Sequence, residues 1–530
     1  MKNKYLFLAS IIYMSSLSTL TSCDFAVSIS SSKHLEFILI NNDTEYSVLS
    51  CTNNENEIKD GKIIIPNKYK GKKVTKIEDY AFKDNNEIKY IKIPNNINDV
   101  GLFAFSNCTN LKTIIFEENS SISSFQQGTF MECPSLEEVI LPEKLESIDD
   151  TLFYNCNSLK RIKIPETVKT IKESAFASCN SLEAVYLPEN IETIGDYAFE
   201  YCTNLKGITF YNTLKEIGKF AFQCSGLKSL EIPSCVEKIG EAAFYDCSSL
   251  SKLTFAENGN LTTIEDAAFS DCNYLMEVVI PNTVTSLGSS VFASCLSLYD
   301  VTLPDTLDKI PDYAFANTRI YTINLPNTIT SIGSYAFKNC EILNQIFLPE
   351  GVKTIGIEAF ANCKKLGIIK LPKSLVYVAN SAFLNTKTAN LLYDGTMEDW
   401  CNIKFINENS NPMVSCDYFS LLKEDSKYFA DILIAIPNGV EKIKSYQFAF
   451  SPHFAIIIPN SVKVIENNSF INSKIDTIYF EGSEEEFNQI SVDKKDLSSC
   501  SVYYYAPKNS IENSNHKYWD YNSDNEPSIW

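Results

Sequence analysis

Two acidic segments are the most chemically suggestive residues of this 530-residue chain. Tyr393–Trp400 reads Tyr-Asp-Gly-Thr-Met-Glu-Asp-Trp, and Phe480–Phe487 repeats it as Phe-Glu-Gly-Ser-Glu-Glu-Glu-Phe. Two carboxylates that faced a cleft would suit glycoside hydrolysis. A hydroxyl residue three positions before an acid is instead typical of a helix start, where each side chain bonds the other's backbone N–H. We therefore expect structural capping boxes at Thr396/Asp399 and Ser483/Glu486, with Trp400 and Phe487 anchoring the helices inward.

Cysteine is the second residue type with chemical potential, at 17 copies. Eleven share one position of a repeat, where Asn317 substitutes once: Cys108, Cys133, Cys156, Cys179, Cys202, Cys224, Cys247, Cys272, Cys295, Cys340 and Cys363. The pattern favours a buried column of inert thiols. A metal array is disfavoured because no C-x-x-C pair and no nearby histidine supplies ligands. Pairing stays open for Cys51, Cys235, Cys401, Cys416 and Cys500.

The charge balance narrows the classes of function. The chain has a formal charge of −20, 3 histidines and only two arginines, Arg161 and Arg319. It lacks the basic footprint of a nucleic-acid binder. It also lacks a nucleophile elbow, a P-loop, a dinucleotide fingerprint and a zinc motif. We therefore expect a protein that is not an enzyme, holds no cofactor and binds no nucleic acid.

A repeat of about 23 residues positions all these groups. Phenylalanine marks about 16 copies, the last two after a gap: Phe82, Phe105, Phe130, Phe153, Phe176, Phe199, Phe222, Phe244, Phe269, Phe292, Phe315, Phe337, Phe360, Phe383, Phe448 and Phe470. Each unit reads L-x-x-[IV]-x-[IL]-P-x-x-[IV]-x-x-I-G-x-x-A-F-x-x-C. The alternating apolar residues predict a short strand with one buried face, and the proline ends it. Glycines such as Gly195 are predicted to allow a tight bend.

A unit this short cannot bury its own apolar face, so the copies must stack. The sequence therefore predicts a solenoid with a parallel β ribbon on one face and the phenylalanines in its core. The units resemble the leucine-rich repeats of the BspA-like family of surface proteins over about residues 60–490. The asparagine/cysteine exchange also fits that repeat type. The resemblance implies a cell-surface protein that binds or adheres to other proteins.

The N-terminus has the features of an export signal. Met1–Lys4 is basic, Tyr5–Met14 is mostly apolar, and Leu20-Thr21-Ser22-Cys23 resembles the lipobox of bacterial lipoproteins. Lipidation of Cys23 would attach the chain to a membrane through lipid alone. The alternative is an ordinary cleaved signal with an incidental cysteine.

The repeat phase suggests boundaries within the chain. A step of 65 residues between Phe383 and Phe448 separates two groups of repeats. We expect a lipoprotein signal peptide at 1–22, a tether and N-terminal cap at 23–60, a leucine-rich-repeat solenoid at 61–390, an irregular island at 391–430, further repeats at 431–480, and a C-terminal cap and tail at 481–530.

Ligand specificity must come from the outward positions of the ribbon, since the core is generic. Its N-terminal half is rich in basic side chains, namely Lys89, Lys92, Lys112, Lys160, Arg161, Lys163, Lys206 and Lys228. These residues would suit an acidic partner, or they merely keep the sheet soluble. The C-terminal half carries Tyr299, Tyr321 and Phe347, with Tyr186 isolated further back, and exposed aromatics are typical interface anchors. Ordinary cross-strand packing is the alternative for these rings.

The sequence thus supports two hypotheses of function. The first is an exported, lipid-anchored cell-surface protein whose ribbon binds a protein of a host cell, a neighbouring cell or the extracellular matrix, or less readily a glycan. The second is a spacer or self-associating surface protein without a discrete ligand.

Overall fold

The structure is a computed structural model that describes residues 34–52, 58–422, 433–492, 497–507, 517–522 and 526–529. Over these residues the chain forms a stack of about 18 turns of about 23 residues, with almost no helix. Most turns contribute a strand of three to five residues to a first ribbon and a strand of two residues to a second ribbon. This confirms the predicted solenoid and extends the expected 16 units by turns that lack the phenylalanine.

The strands are numbered β1 to β40 in chain order. The first ribbon, which we call the long ribbon, consists of β3 (Lys62–Ile64), β6 (Tyr90–Ile93), β8 (Thr113–Phe116), β9 (Glu138–Ile140), β11 (Arg161–Lys163), β13 (Ala184–Tyr186), β16 (Ser229–Ile232), β18 (Lys252–Phe255), β20 (Glu277–Val279), β22 (Asp300–Thr302), β25 (Gln345–Phe347), β27 (Ile368–Pro372), β29 (Asn390–Asp394), β31 (Tyr418–Leu421), β32 (Leu433–Ala435), β34 (Ala455–Pro459), β36 (Thr477–Glu481) and β38 (Ser501–Tyr505). Neighbouring strands of this ribbon that pair are parallel.

The second ribbon consists of β7 (Asp99–Val100), β10 (Ser147–Ile148), β12 (Thr170–Ile171), β14 (Thr193–Ile194), β15 (Glu216–Ile217), β17 (Lys238–Ile239), β19 (Thr263–Ile264), β21 (Ser286–Leu287), β23 (Lys309–Ile310), β24 (Ser331–Ile332), β26 (Thr354–Ile355), β28 (Tyr377–Val378), β30 (Lys404–Phe405), β33 (Lys442–Ile443), β35 (Val464–Ile465) and β37 (Ser491–Val492). Antiparallel pairs occur near the two ends, among β1 (Leu35–Ile40), β2 (Glu45–Cys51), β4 (Lys68–Tyr69) and β5 (Lys72–Ile77), and between β39 (Tyr518–Tyr521) and β40 (Pro527–Ile529).

The phenylalanines stack as one column inside the turns. From Phe82 to Phe383, successive rings lie with centroids 4.7 to 6.1 Å apart and nearly parallel. Phe448 and Phe470 stack in the same way, at 5.8 Å. Two short 3-10 helices, Glu408–Ser410 and Pro412–Ser415, lie between the two groups of phenylalanines in the chain, and Met413 is buried there.

The turn around each phenylalanine needs two residues in the left-handed backbone conformation. In the turn of Phe199, these are Tyr197 and Tyr201, both with φ of 57°. The same pair of positions recurs along the stack, mostly without glycine. The glycine of the repeat serves another purpose: a Cβ on Gly218 would lie 2.6 Å from the backbone nitrogen of Asp196 in the preceding turn. It permits close stacking of turns rather than the bend that the sequence suggested.

The buried thiols form the expected column, with two corrections. Ten thiols donate to the carbonyl oxygen of a phenylalanine in an earlier turn at 3.0 to 3.4 Å. Cys224 does not belong to this column, because that turn is one residue shorter and Ser225 bonds Cys247 in its place at 3.2 Å. For the same reason Thr318, and not Asn317, takes the position before Cys340.

The segment expected to be an irregular island is part of the solenoid as far as residue 422. Its strands β29 and β31 extend the long ribbon, and β30 extends the second ribbon. Helix α1 (Met397–Asn402) lies between them, and helix α2 (Glu484–Asn488) occupies the matching place near the C-terminus. Repeated sequence thus produces repeated structure even where the phenylalanine is missing.

Candidate ligand-binding surface

The two acidic segments form the predicted capping boxes. The hydroxyl of Thr396 accepts from the backbone N–H of Asp399 at 3.2 Å, and the Asp399 carboxylate accepts from the Thr396 N–H at 2.9 Å. Ser483 and Glu486 make the same pair of bonds, at 3.2 and 2.8 Å. These bonds account for the acids of both motifs structurally, as the spacing predicted.

The aromatic residues after each cap also behave as anchors. Trp400 is fully buried, and its indole N–H donates to the Gln447 carbonyl at 3.2 Å. The Gln447 side chain returns a bond to the Trp400 carbonyl at 2.6 Å, so helix α1 joins the two groups of repeats. Phe487 is only partly buried and packs edge-on against Phe480, 5.2 Å away.

The thiol column has a chemical environment that suppresses reactivity. Burial raises the pKa of Cys179 and Cys247 to about 12 and that of Cys340 to about 11. Thiolates are the nucleophilic and metal-binding form of cysteine, so these side chains remain protonated and inert at neutral pH. All sixteen cysteines from Cys51 to Cys500 are present as free thiols.

The long ribbon presents a regular array of outward side chains. Along each strand, buried residues alternate with exposed ones, as in β11, where Ile162 is buried between Arg161 and Lys163. Parallel pairing places Arg161 beside Ala184 and Lys163 beside Tyr186. Tyr186, 42% exposed, therefore has a lysine as its neighbour on the preceding strand.

Most candidate residues of the N-terminal half are exposed, but part of their charge is neutralised. Glutamates of the following turn pair with Lys92 at 2.9 Å, Lys112 at 3.0 Å and Arg161 at 3.6 Å. The remaining exposed lysines make no ion pair within the described part of the chain: Lys89, Lys160, Lys163, Lys206 and Lys228. The ribbon here is thus a mixed array of charges, with glutamates interleaved among the lysines.

The C-terminal half carries exposed apolar side chains on four successive turns, which we call the apolar patch: Met276, Val279, Tyr299, Tyr321 and Phe347. Tyr299 is 49% exposed, Tyr321 54% and Phe347 48%. Met276 precedes Tyr299 in the same column, because the Tyr299 N–H donates to the Met276 carbonyl at 2.9 Å. Tyr321 takes the corresponding position in the next turn, just after the buried Ile320.

The three predicted aromatics therefore do not form one row. Phe347 lies in a different column, beside Lys370 and in line with Val279 of an earlier strand of the ribbon. Met276 and Val279 complete the patch and were not singled out from the sequence, although both occupy the outward columns. Their position in the repeat phase was the signal that could have identified them.

A cleft opens in the ribbon next to the patch. Its volume is about 310 Å³, and residues 300–303, 305 and 322–326 line it. Within the described residues 58–422, no backbone hydrogen bond joins Asp300–Leu303 to Thr322–Leu325, although Thr322 pairs with Gln345 on the other side. Tyr299 and Tyr321 immediately precede the two segments and mark one end of the cleft.

A second set of aromatics, of which Tyr80 and Tyr313 are exposed and the others half-buried, lies on the loops around the phenylalanine column. Tyr80 stacks on Phe103 at 5.8 Å, Tyr197 on Phe220 at 5.1 Å, and Tyr313 on Tyr335 at 4.5 Å. These residues have positive φ, a conformation that tyrosine rarely adopts. Sequence reasoning missed the pairs because nothing in the repeat marks that position as aromatic.

Cys23, the predicted lipidation site, lies outside the described residues. Among the residues that are described, no helix combines the length and the apolar character required to cross a bilayer.

The repeat model that matches this chain settles its family. The BspA type leucine-rich repeat region matches residues 55–183, 169–299, 285–411 and 429–520. The chain belongs to this family. Leucine-rich repeat proteins commonly bind other proteins, and this repeat family is generally non-enzymatic.

Solved structures resemble this solenoid. A leucine-rich repeat protein from Bacteroides ovatus is 25% identical, aligns over 76% of this chain and all of its own, and has a TM-score of 0.56. A leucine rich cell surface protein from Faecalibacterium prausnitzii is also 25% identical, over 72% of this chain and 98% of its own, with a TM-score of 0.41. No protein with curated function matches the sequence significantly.

Proposed function

We propose that this family member is an exported, lipid-anchored cell-surface protein that binds a protein partner through the C-terminal half of its long ribbon. The apolar patch carries the proposal. Five large apolar side chains point outward from a ribbon whose core is already complete, and an exposed apolar cluster of this kind is typical of a protein-binding site.

The contrast with the N-terminal half supports this choice. There the strand positions hold mostly basic residues and glutamates. Three of the basic residues already form ion pairs with glutamates of the following turn. Exposed ion pairs contribute little affinity and are readily screened. The lysines are therefore assigned a secondary role, in attracting an acidic partner or in solubility.

Binding rather than catalysis fits the chemistry of the described residues. The acids with the most suggestive spacing form helix caps, and the most numerous nucleophiles are buried and protonated. Together with the lipobox-like sequence ending at Cys23, these features suit a displayed binding surface held at a membrane.

The test is binding of the soluble chain to extracellular-matrix proteins, host-cell surfaces and glycans. We expect saturable binding to a protein that is lost in the Tyr299→Ser/Tyr321→Ser/Phe347→Ser variant. The matched control is Lys89→Gln/Lys160→Gln/Lys206→Gln, which should retain binding. No binding by a folded chain would favour the spacer, and loss only in the lysine variant would move the site to the N-terminal half.

The lipid anchor has its own test. Wild-type protein should partition into the detergent phase and be accessible to protease on intact cells. Cys23→Ser should release it from the membrane fraction. Equal partitioning of the two forms would leave an ordinary cleaved signal as the explanation.

A further inference from the structure

We propose that the cleft beside Tyr299 and Tyr321 receives a basic, extended segment of the partner protein, with an arginine or lysine side chain entering between the two turns. This inference rests on the proposed function and specifies the chemistry of the partner. It is carried by three features of one place: an opening in the ribbon, two exposed tyrosines at its end, and carboxylates without a counter-ion.

The cleft between the two turns could accommodate an extended segment of the partner protein. Between β20 and β22, parallel pairing in register joins neighbouring turns, whereas some other neighbours, such as β18 and β20, form no such pairing. Asp300–Leu303 and Thr322–Leu325 form no strand pairing with each other, and an open cleft of about 310 Å³ lies between them. That volume lies at the low end of the range for ligand pockets and suits one long side chain rather than a folded element.

The walls of the cleft favour a cation. Asp300 and Asp305 line it, and Glu277 lies beside Asp300 on the adjacent strand. All three are exposed, and none forms an ion pair within the described part of the chain. Arg319, at the start of the turn of Tyr321, and Lys252, in the column position before Glu277, are neighbouring cations, so the three carboxylates outnumber them and a net negative charge remains.

The acids of the N-terminal half are different in this respect. Glu117, Glu137 and Glu183 each pair with a basic residue of the preceding turn. The carboxylates at the cleft are thus available to a partner, whereas these three are already engaged; Glu138 and Glu231 also form no ion pair in the described part of the chain, but they do not line this cleft. Charge complementarity therefore points to a basic occupant.

The tyrosines restrict the chemistry of this occupant further than charge alone does. Both rings are about half-exposed on residues that directly precede the cleft segments, and the face of such a ring attracts a guanidinium or ammonium group. A guanidinium can also donate two hydrogen bonds to one carboxylate, such as that of Asp300. The Thr302 and Thr322 hydroxyls and the Asn324 amide supply polar partners for the peptide backbone along the cleft.

The test uses the full chain and a fluorescent peptide of about twelve residues in which arginine and serine alternate. The matched peptide replaces each arginine by citrulline, which has the same shape and no charge. Affinity is measured by fluorescence anisotropy at low and physiological salt. The site variant is Asp300→Asn/Asp305→Asn, and the matched control is Glu138→Gln/Glu231→Gln, which removes two exposed acids from the same ribbon.

We expect the arginine peptide to bind and the citrulline peptide to bind at least about tenfold more weakly, because the cation carries the interaction. Asp300→Asn/Asp305→Asn should weaken arginine-peptide binding at least about fivefold, and the control less than about twofold. Equal weakening in both variants would attribute binding to the overall charge of −20 and overturn the proposal. Absence of arginine-peptide binding would overturn it as well.

Failure of this inference is distinguishable from failure of the proposed function. A partner that loses binding in Tyr299→Ser/Tyr321→Ser but not in Asp300→Asn/Asp305→Asn would uphold the proposed function and refute the basic segment. A partner sensitive to both variants, and released by salt, would support both. Thermal unfolding of each variant excludes loss of the fold, which the isosteric asparagines should leave unchanged.

Discussion

The interior column and the long ribbon of this protein follow the same repeat but are used differently. Inside, the same few contacts recur in turn after turn: ring on ring along the phenylalanines, and thiol to carbonyl along the cysteines. Outside, the same strand position holds Lys112 in one turn, Met276 in another and Tyr321 in a third. The interior therefore fixes the fold, while the ribbon is free to acquire a ligand.

The largest effect should come from the thiols of the interior at alkaline pH. Nine column thiols have a pKa raised mainly by burial or by bonding to a neighbouring thiol: Cys108, Cys156, Cys179, Cys202, Cys247, Cys272, Cys295, Cys340 and Cys363. A free thiol titrates near about pH 8.5, so above that pH the unfolded chain loses protons that the folded chain keeps. Each thiol should then cost up to about 1.4 kcal/mol of stability per pH unit.

For nine such thiols, the summed loss of unfolding free energy would exceed the ordinary stability of a domain within about two pH units. We expect the free energy of unfolding in urea to be constant up to about pH 8.5 and to fall steeply by about pH 10. Tryptophan fluorescence follows the unfolding and thiolate absorbance the ionisation. Cys179→Ser/Cys202→Ser should reduce the slope, and a stability that does not change over about pH 8 to 10 would contradict the burial of the column.

A single interior ring should have the next largest effect. Phe222→Ala removes a ring stacked on both sides, at 5.1 Å from Phe199 and 5.3 Å from Phe244. The loss should be about 3–5 kcal/mol of unfolding free energy, as for large-to-small changes in other cores. Thr209→Ala, an exposed change on the ribbon, is the control and should alter stability by less than about 0.5 kcal/mol. A loss below about 1 kcal/mol for Phe222→Ala would mean that the stack tolerates a missing ring.

Most of the fold was predictable because the interior repeats and one residue type marks its phase. The errors arose where a turn is one residue shorter: counting cysteines placed Cys224 and Asn317 in the column, whereas counting three residues from Phe222 and Phe315 reaches Ser225 and Thr318. The segment around β29 looked irregular because it lacks the phenylalanine, although its strands keep the register.

The ribbon was predictable only in part. The phase correctly gave the exposed positions of Tyr299, Tyr321 and Phe347, since alternation determines which side of a strand a residue faces. The repeat phase did not predict the cleft, because the cleft depends on whether two adjacent turns form backbone hydrogen bonds. Nor did it show that Lys112 pairs with Glu137, because that contact depends on the side-chain conformations of both residues.

Substitutions at the two helix caps should have an intermediate effect on stability. They compare helix α1, inside the stack, with helix α2, near its end. Thr396→Ala and Ser483→Ala each remove one capping hydroxyl, at about 0.5–2 kcal/mol. We expect Thr396→Ala to lower the global unfolding free energy, because helix α1 is tied by Trp400 to the next repeats. Ser483→Ala should chiefly increase amide exchange in helix α2. Equal exchange behaviour of the two variants would show that position in the stack does not matter.

Substitutions of exposed ribbon residues should have the smallest effect on stability. They should have the largest effect on binding. Tyr299→Ser/Tyr321→Ser removes two half-exposed rings that complete no core, so the urea midpoint should shift by less than the equivalent of about 1 kcal/mol. Binding of the partner should be lost, because exposed aromatics contribute strongly only when a partner buries them. A variant destabilised by several kcal/mol would instead identify the two tyrosines as packing residues and remove the apolar patch as the candidate site. Substitutions in the interior column should therefore change stability, whereas substitutions on the ribbon should change binding. This difference distinguishes the ribbon from the column.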